Sequence, residues 1–351
     1  MKRSVSKSTG AGLLVAGLAA TLLVHAASGD AGRDWRNYGH DKGQMRFSPL
    51  AQITPQNVDR LAQAWVYRMR PPGAEMYAGA RTFGRTAEPA GSNRRRFAQS
   101  EITPLVVDGT MYLTTPYDRI VALDATTGKE LWATKGSGST RGLEYWPGDR
   151  AHPARLIYAD GNSLVALDAA TGKPSAGFGT DGVLAGKAER PGAPSTSPPI
   201  LWKNVIISGA ADPNGDGRVG DVRGFDVVDG HQLWRFSTVP QKGEKFYDTW
   251  APGSAESRSG VYVWGLMSVD EERGLVYFPV KAPIWDRYGG ERHGSNLYSS
   301  SIVALDARTG AYRWHFQIVH HDIWDYDTQS APLLIDLQRD GQTVPAVVIV
   351  N

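Results

Sequence analysis

The sequence of 351 residues contains no cysteine. Disulfide bonds, iron–sulfur clusters held by cysteine and thiolate zinc sites are therefore excluded. A large charge excess is also missing: the formal net charge is +2, which gives no sign of a nucleic-acid partner. After residue 29, no stretch is long and apolar enough to span a membrane, and no long stretch repeats with the period of a helix.

Glycine, proline and tryptophan are abundant, with 40, 21 and 11 residues respectively. Hydrophobic residues make up 41% of the chain, so a packed core is expected. Many turn-forming residues between short apolar runs are typical of an all-β fold with short strands and tight turns.

The first 29 residues have the pattern of an export signal. Met1-Lys2-Arg3 and Lys7 are basic, residues 8–29 carry no charge, and Val24-His25-Ala26 matches a small-residue cleavage site. We expect a signal peptide over residues 1–29 and a periplasmic protein. The alternative is an uncleaved anchor, for which the apolar run is short and rich in alanine.

A repeated unit starts near Glu101. Each copy has two apolar strands and an Asp-x-x-Thr-Gly turn or a variant of it, and an aromatic residue is expected after each turn. The copies are 122–132, 166–172, 224–234 and 304–314. The aspartate can bind the turn backbone, the glycine provides a positive φ, and the tryptophan can dock on the next sheet. Repeats of this size predict a β-propeller of four-stranded blades.

Two elements are expected before the repeats. Thr54-Pro55 predicts the start of a short helix, because proline is favoured at the first helical position. A strand is then expected to begin near Ala64.

Residues 319–327 combine two histidines, three aspartates and two aromatic residues on a connection between strands. A carboxylate beside aromatic bulk can act as a general base. Several carboxylates close together also suit a hard cation such as Ca²⁺. The alternative is a solvated loop whose aspartates cap turns and whose histidines are packed.

The chain from Asp34 to Asn351 resembles the pyrroloquinoline quinone (PQQ)-dependent dehydrogenases. The resemblance is carried by the docking repeats, the opening 35–50, the segment 196–199 and the run 319–325. The last three resemble the quinoprotein glucose dehydrogenase branch most. This resemblance implies that residues 30–351 form about half of an eight-bladed propeller, cut at its C-terminal end, and that the chain is a fragment.

The resemblance also implies a cofactor site. Arg141 matches an arginine that pairs with a PQQ carboxylate, and Thr196 matches a hydroxyl that contacts the cofactor. Trp264 matches the tryptophan that stacks under the quinone ring. By the same resemblance, Ser208 and Gly209 belong to the cofactor-binding residues. Asp325 matches the catalytic base, which takes the proton from a substrate hydroxyl.

The metal site departs from the pattern of the alcohol-oxidising relatives. Their metal-binding glutamate falls at Ala211 and their asparagine at Ala282. We expect Asp212, Asn214 and Asp325 to hold Ca²⁺ or Mg²⁺ instead. Lys281 is unexpected so close to a cation.

The implied activity is oxidation of a glucose-like sugar or a primary alcohol, with electrons passing to a membrane quinone or a c-type cytochrome. Two alternatives remain open at this point. One is a non-catalytic propeller that acts as a scaffold, and the other is an inactive fragment that has lost its metal site.

Overall fold

The computed structural model describes residues 33–72, 76–77, 95–96, 100–136, 138–160, 163–185, 197–209, 220–257, 261–283 and 287–351. The expected signal peptide and the predicted site residues Thr196, Asp212 and Asn214 lie outside these ranges.

Four antiparallel sheets of four strands follow one another along the chain, each built from consecutive strands. A two-residue parallel pair, β1 (Met76–Tyr77) and β2 (Arg95–Arg96), precedes them. Sheet one contains β3 (Leu105–Val107), β4 (Thr110–Thr115), β5 (Arg119–Asp124) and β6 (Glu130–Lys135). Sheet two contains β7 (Glu144–Trp146), β8 (Arg155–Asp160), β9 (Ser163–Asp168) and β10 (Val183–Leu184).

Sheet three contains β11 (Ile200–Trp202), β12 (Val205–Ser208), β13 (Val222–Asp226) and β14 (Gln232–Phe236). Sheet four contains β15 (Ser268–Asp270), β16 (Leu275–Val280), β17 (Ser301–Asp306) and β18 (Tyr312–Gln317). A hairpin of β19 (Leu333–Arg339) and β20 (Gln342–Val348) follows. Each sheet is thus built from consecutive strands and follows the previous one along the chain, as the repeats predicted.

Helices are short in the described part of the chain: two 3₁₀ turns, Val58–Arg60 and Tyr247–Thr249, and one α-helical turn, α1 (Ser254–Ser257). No helix among the described residues is long and apolar enough to cross a membrane. The helix was expected to start at Thr54, but the helical segment is a single 3₁₀ turn that starts at Val58. The residues before it form a turn, in which the Thr54 N–H donates to the Asn57 Oδ1.

The strand expected near Ala64 is also wrong, since residues 61–69 pair with no strand of the described chain. Instead this segment covers sheet one: Trp65, Tyr67 and Met69 pack against the buried Leu113 and Val121.

The hydrophobic core lies between neighbouring sheets. Side chains alternate along each central strand, so Leu156 and Tyr158 of β8 face sheet one, whereas Ile157 and Ala159 face sheet three. A third cluster joins sheets three and four, with Ile207, Val276 and Phe278 fully buried. Because sheet two is buried on both faces, its strands are almost continuously apolar.

The turn of the repeat has the predicted chemistry. The Asp124 Oδ1 accepts the N–H groups of Thr126 and Thr127 and the hydroxyl of Thr127, and Gly128 has φ +70°. Asp168 and Asp306 make the same contacts with the threonines of their own turns. The aspartate therefore stabilises each of these turns. The glycine at the end of the turn adopts its positive φ without backbone strain.

Three tryptophans, Trp65, Trp132 and Trp234, dock on the turn of the following sheet as expected, whereas Trp314 is exposed. The Trp132 indole N–H donates to the Ala169 carbonyl at 3.1 Å, and its ring covers Gly172. Trp234 repeats this contact with the Ala307 carbonyl at 3.2 Å and with Gly310. In the same way, Trp65 donates to Ala125 at 3.2 Å. An indole from the preceding part of the chain therefore holds the turn of sheets one, two and four.

The contact between sheets two and three differs. Leu184, not an aromatic residue, lies over Gly230. The buried Arg155 of sheet two donates to the Val227 and Val228 carbonyls at 2.6 and 2.7 Å. Its guanidinium also lies over the Trp146 ring. Charge-assisted hydrogen bonds therefore replace the indole at this position.

Candidate active site

Arg141 and Trp264, 123 residues apart in the chain, are in direct contact. The Arg141 Nη1 donates to the Trp264 carbonyl at 2.9 Å, and its guanidinium carbon lies 5.3 Å from the centre of the indole ring. Arg141 precedes β7 of sheet two and Trp264 precedes β15 of sheet four. The connections that lead into two different sheets therefore bring these two predicted residues together.

Ser197 joins the pair. Its Oγ accepts a hydrogen bond from the Arg141 Nη1 at 3.0 Å and donates to the Trp264 carbonyl at 2.7 Å. Glu101 forms an ion pair with the Arg141 Nε at 3.0 Å. The guanidinium is thus held at a fixed position beside the indole face, with a hydroxyl next to it.

Asp327 fixes the other end of the indole. The Trp264 Nε1–H donates to the Asp327 Oδ2 at 3.0 Å, and the Ala282 N–H donates to the Oδ1 at 2.9 Å. The Lys281 ammonium lies 3.6 Å from the Oδ2. Burial raises the pKa of Asp327, while Lys281 and the two N–H donors act in the opposite direction. The lysine that was unexpected near a cation is therefore engaged with this carboxylate.

Asp325 lies on the same connection but is exposed, with φ +61°. Burial raises the pKa of Tyr262; the Lys281 ammonium opposes this shift, and the carboxylates of Asp327 and Asp325 add to it. Asp325 is therefore within electrostatic reach of Tyr262, two residues before Trp264. An exposed carboxylate next to a buried cationic and aromatic cluster can accept a proton from a hydroxyl that enters from solvent.

Ser208 and Gly209 lie at the end of β12 and are both buried. A Cβ at Gly209 would be 3.0 Å from the Val263 Cβ, so Gly209 packs against the residue that precedes Trp264. This close approach explains the need for glycine at this position. Gly209 thus lies against the 261–264 segment, which ends at Trp264, and Ser208 precedes it in β12.

The two histidines of the 319–327 run do not converge. His321 contacts the Gly294 carbonyl through its Nδ1 at 2.9 Å, whereas His320 is exposed. The buried Asp322 binds backbone N–H groups of its own loop. The carboxylates of the run are thus divided between structure (Asp322, Asp327) and an exposed group (Asp325).

Among the predicted metal ligands, Asp325 is within the described residues, and Asp212 and Asn214 are not. Ala282, where the resemblance would place an asparagine ligand, is buried and offers only a methyl group. The described residues bring together a guanidinium, an indole ring and a hydroxyl, the types of group that can hold a flat, acidic quinone. The metal remains a prediction from the sequence.

Three residues of the cluster were not among the predicted site residues: Ser197, Glu101 and Asp327. Ser197 follows Thr196 in a segment rich in serine and proline, where nothing in its type distinguishes it. The signal for Asp327 was present, since it is one of three closely spaced carboxylates, but its contact with Trp264 spans 63 residues.

Comparison with known proteins identifies the family of this chain. Residues 35–351 match the family model of the PQQ glucose/ethanol/alcohol dehydrogenase β-propeller domain. The chain is 33% identical to the glycerol dehydrogenase large subunit of Gluconobacter oxydans, over 91% of this chain and 44% of that protein. It is 32% identical to the quinoprotein glucose dehydrogenase of Escherichia coli, over 92% of this chain and 42% of that protein.

The fold is also similar to a solved structure. The quinohemoprotein alcohol dehydrogenase of Comamonas testosteroni matches with a TM-score of 0.69 and 26% identity, over 92% of this chain and 47% of that chain. The chain thus spans about half the length of the relatives it matches, and its four-stranded sheets correspond to blades of a quinoprotein propeller. On this evidence the chain belongs to the family of PQQ-dependent β-propeller dehydrogenases.

Proposed function

We propose that this chain binds PQQ and takes part in the oxidation of a glucose-like sugar or a primary alcohol in the periplasm. Ca²⁺ or Mg²⁺, held by Asp212, Asn214 and Asp325, belongs to the proposal, as does transfer of electrons to a membrane quinone or a c-type cytochrome. The observation that carries the proposal is the contact between Arg141, Ser197 and Trp264, with Asp325 close by.

Each residue has a distinct task. The Arg141 guanidinium binds a carboxylate of the cofactor through a charge-assisted hydrogen bond. Trp264 offers its ring as a platform, and Asp327 keeps that ring from rotating. The cofactor, when bound, supplies a quinone that accepts hydride. Asp325 accepts the hydroxyl proton of the substrate at a carboxylate oxygen.

Relatives support the substrate class without fixing the substrate. Similar proteins include dehydrogenases named for glycerol, glucose, quinate and alcohol, at 32–34% identity. All of these names describe compounds with an oxidisable hydroxyl group. We therefore propose hydroxyl oxidation, with glucose and ethanol as the first compounds to assay.

Binding and turnover are measured separately. PQQ is titrated into the purified chain, with and without Ca²⁺, and tryptophan quenching reports binding. Dye reduction is then followed with glucose and with ethanol. We expect Arg141→Ala to weaken binding about tenfold or more, since hydrogen bonds to a charged group contribute about 1.5–3 kcal/mol. Asp325→Asn should keep PQQ binding and lower turnover by about 10²-fold or more.

Arg273→Ala, which removes an exposed arginine that forms an ion pair with nearby Asp270, is the matched control. It should leave PQQ binding unchanged. The proposal is wrong if PQQ does not bind, or if it binds equally well to the wild type, Arg141→Ala and Trp264→Ala.

A further inference from the structure

Asp322 is a fully buried carboxylate inside a loop that is otherwise exposed. The side chains of Trp324 and Tyr326 are 71% and 56% exposed, and Asp325 between them is also exposed. A buried carboxylate is costly unless its oxygens are hydrogen-bonded. The hydrogen bonds that Asp322 makes therefore indicate its structural role in the loop.

Both oxygens of Asp322 bind the loop backbone. The Trp324 N–H donates to the Oδ1 at 2.8 Å, and the Tyr326 N–H donates to the Oδ2 at 3.1 Å. These two amides flank Asp325 on either side. The carboxylate thus clamps the backbone immediately before and after the exposed aspartate.

Asp325 needs this clamp because its φ is +61°. A residue other than glycine in this left-handed region costs on the order of 1–2 kcal/mol, although aspartate tolerates it better than most residues. Such a conformation persists only where surrounding contacts fix it. Hydrogen bonds to the two flanking amides meet this requirement.

Asp322 itself is anchored to the connection that leads from β16 into β17. The Ser300 hydroxyl donates to the Asp322 Oδ2 at 2.8 Å. The buried Arg292 donates from its Nη2 to the Asp322 carbonyl at 2.5 Å and from its Nη1 to the Asn296 Oδ1 at 2.6 Å. The Asn296 Nδ2 returns a hydrogen bond to the Arg292 carbonyl. The clamp is therefore fixed from behind by fully buried groups.

We propose that Asp322 is a positioning residue for the oxidation, and that it acts by holding Asp325 in its strained conformation toward the Trp264 cluster. Arg292 and Ser300 support it. This inference rests on the proposed function of Asp325 as the base. Asp322 does not touch substrate or cofactor and exchanges no proton in this role.

Asp322→Asn is the sharpest test, because it preserves size and removes one acceptor. In asparagine an NH₂ donor replaces one of the two carboxylate oxygens, so either the Trp324 or the Tyr326 N–H loses its acceptor. Ser300→Ala, which removes one donor to the Oδ2, is a milder second variant if Asp322→Asn folds poorly. Asp336→Asn, at an exposed position of β19, is the matched control.

The first readout needs neither cofactor nor turnover. In Asp322→Asn we expect the amide hydrogens of Trp324 and Tyr326 to exchange about tenfold faster or more, whereas amides within β17 keep their wild-type rates. Unchanged exchange at both loop amides would overturn the proposal.

The second readout separates positioning from general damage. Asp322→Asn should lower kcat about 10–100-fold with little change in KM or PQQ affinity, because a misplaced base affects the chemical step. In an Asp325→Asn background, Asp322→Asn should cause almost no further loss of kcat, because Asp322 acts through Asp325. Additive losses would show that Asp322 does not act through Asp325.

The two proposals fail in different ways. If Asp325→Asn turns over as fast as the wild type, the proposed base is wrong, and the exchange rates still decide whether Asp322 holds the loop. If Asp325→Asn is inactive and Asp322→Asn is fully active, the proposed function stands and the positioning role is wrong.

Discussion

Glu144 is a carboxyl group enclosed by the first strands of sheets two and three. Its side chain is 3% exposed, and its Oε1 accepts the Leu201 N–H at 3.2 Å. Burial raises its pKa to about 8, Lys42 opposes this shift, and Glu271 adds to it. The folded protein therefore keeps a proton on Glu144 at pH values where the unfolded chain has lost it.

This proton makes stability depend on pH. Between about pH 4.5 and pH 8 the folded state binds the proton and the unfolded state does not, so the free energy of unfolding falls as the pH rises. From pH 5 to pH 8 we expect wild type to lose stability relative to Glu144→Gln by on the order of 3 kcal/mol. Urea unfolding of both proteins at the two pH values measures this difference.

Glu272→Gln, at an exposed turn residue, measures the effect of losing a surface carboxylate. If Glu144→Gln and wild type lose stability in parallel between pH 5 and pH 8, Glu144 is already ionised in the folded protein and the prediction is wrong.

At the level of elements, the turn that ends each third strand does two things at once. The turn reverses the chain through a glycine with positive φ. The same glycine lies directly under the ring of a docked tryptophan. Gly310 has φ +70°, and a Cβ there would lie 2.6 Å from the Trp234 ring. Conformation and packing therefore both require glycine.

Gly341 allows these two requirements to be separated. Its φ is +75°, but a Cβ would have no atom within 4 Å. Gly341→Ala should cost on the order of 1–2 kcal/mol from backbone strain alone. Gly310→Ala should cost this amount plus about 1–3 kcal/mol, because the docked Trp234 must move. Denaturant unfolding of both variants tests the difference, and equal losses would contradict the packing role.

The turns were predictable from sequence because each is local: Asp306, Thr309 and Gly310 lie within five residues and need only one another. The partner of each tryptophan was not predictable from the repeat alone. Leu184 and Arg155 could not be assigned to the contact between sheets two and three, because no local pattern reveals which carbonyls a buried guanidinium will reach.

The same distinction applies to the candidate site. Arg141, Trp264 and Asp325 were identified through the family resemblance, whose motifs fix single positions. Ser197 and Asp327 were missed because their importance arises from contacts with Trp264 across more than 60 residues of sequence. Residue type and spacing carry no record of such contacts.

At the scale of the whole molecule, apolar surface is distributed unevenly. Sheet two is buried on both faces, whereas the last strand of sheet four exposes Trp314 and Phe316, two residues apart and so on one face. Phe316 is 64% exposed. Large exposed apolar side chains promote association of proteins in solution.

We expect Phe316→Lys to reduce self-association and binding of an apolar dye, with a change in unfolding free energy within about 0.5 kcal/mol. Gln342→Lys, at an exposed polar position of β20, introduces the same charge without removing an apolar side chain. Light scattering against protein concentration measures the effect. If both substitutions reduce association equally, added charge explains the result and the sheet-four face does not.

The placement of each indole on the turn of the following unit has a consequence for how this architecture can change over evolutionary time. After duplication or loss of one whole repeat, the units brought together could form the same docking contact. Trp132 and Trp234 both bind a turn carbonyl and pack on a turn glycine. Repeats that share this docking contact can therefore replace one another at the boundary between sheets. The contact made by Arg155 is the exception. A rearrangement that separates it from Val227 and Val228 would leave a buried guanidinium without these two acceptors.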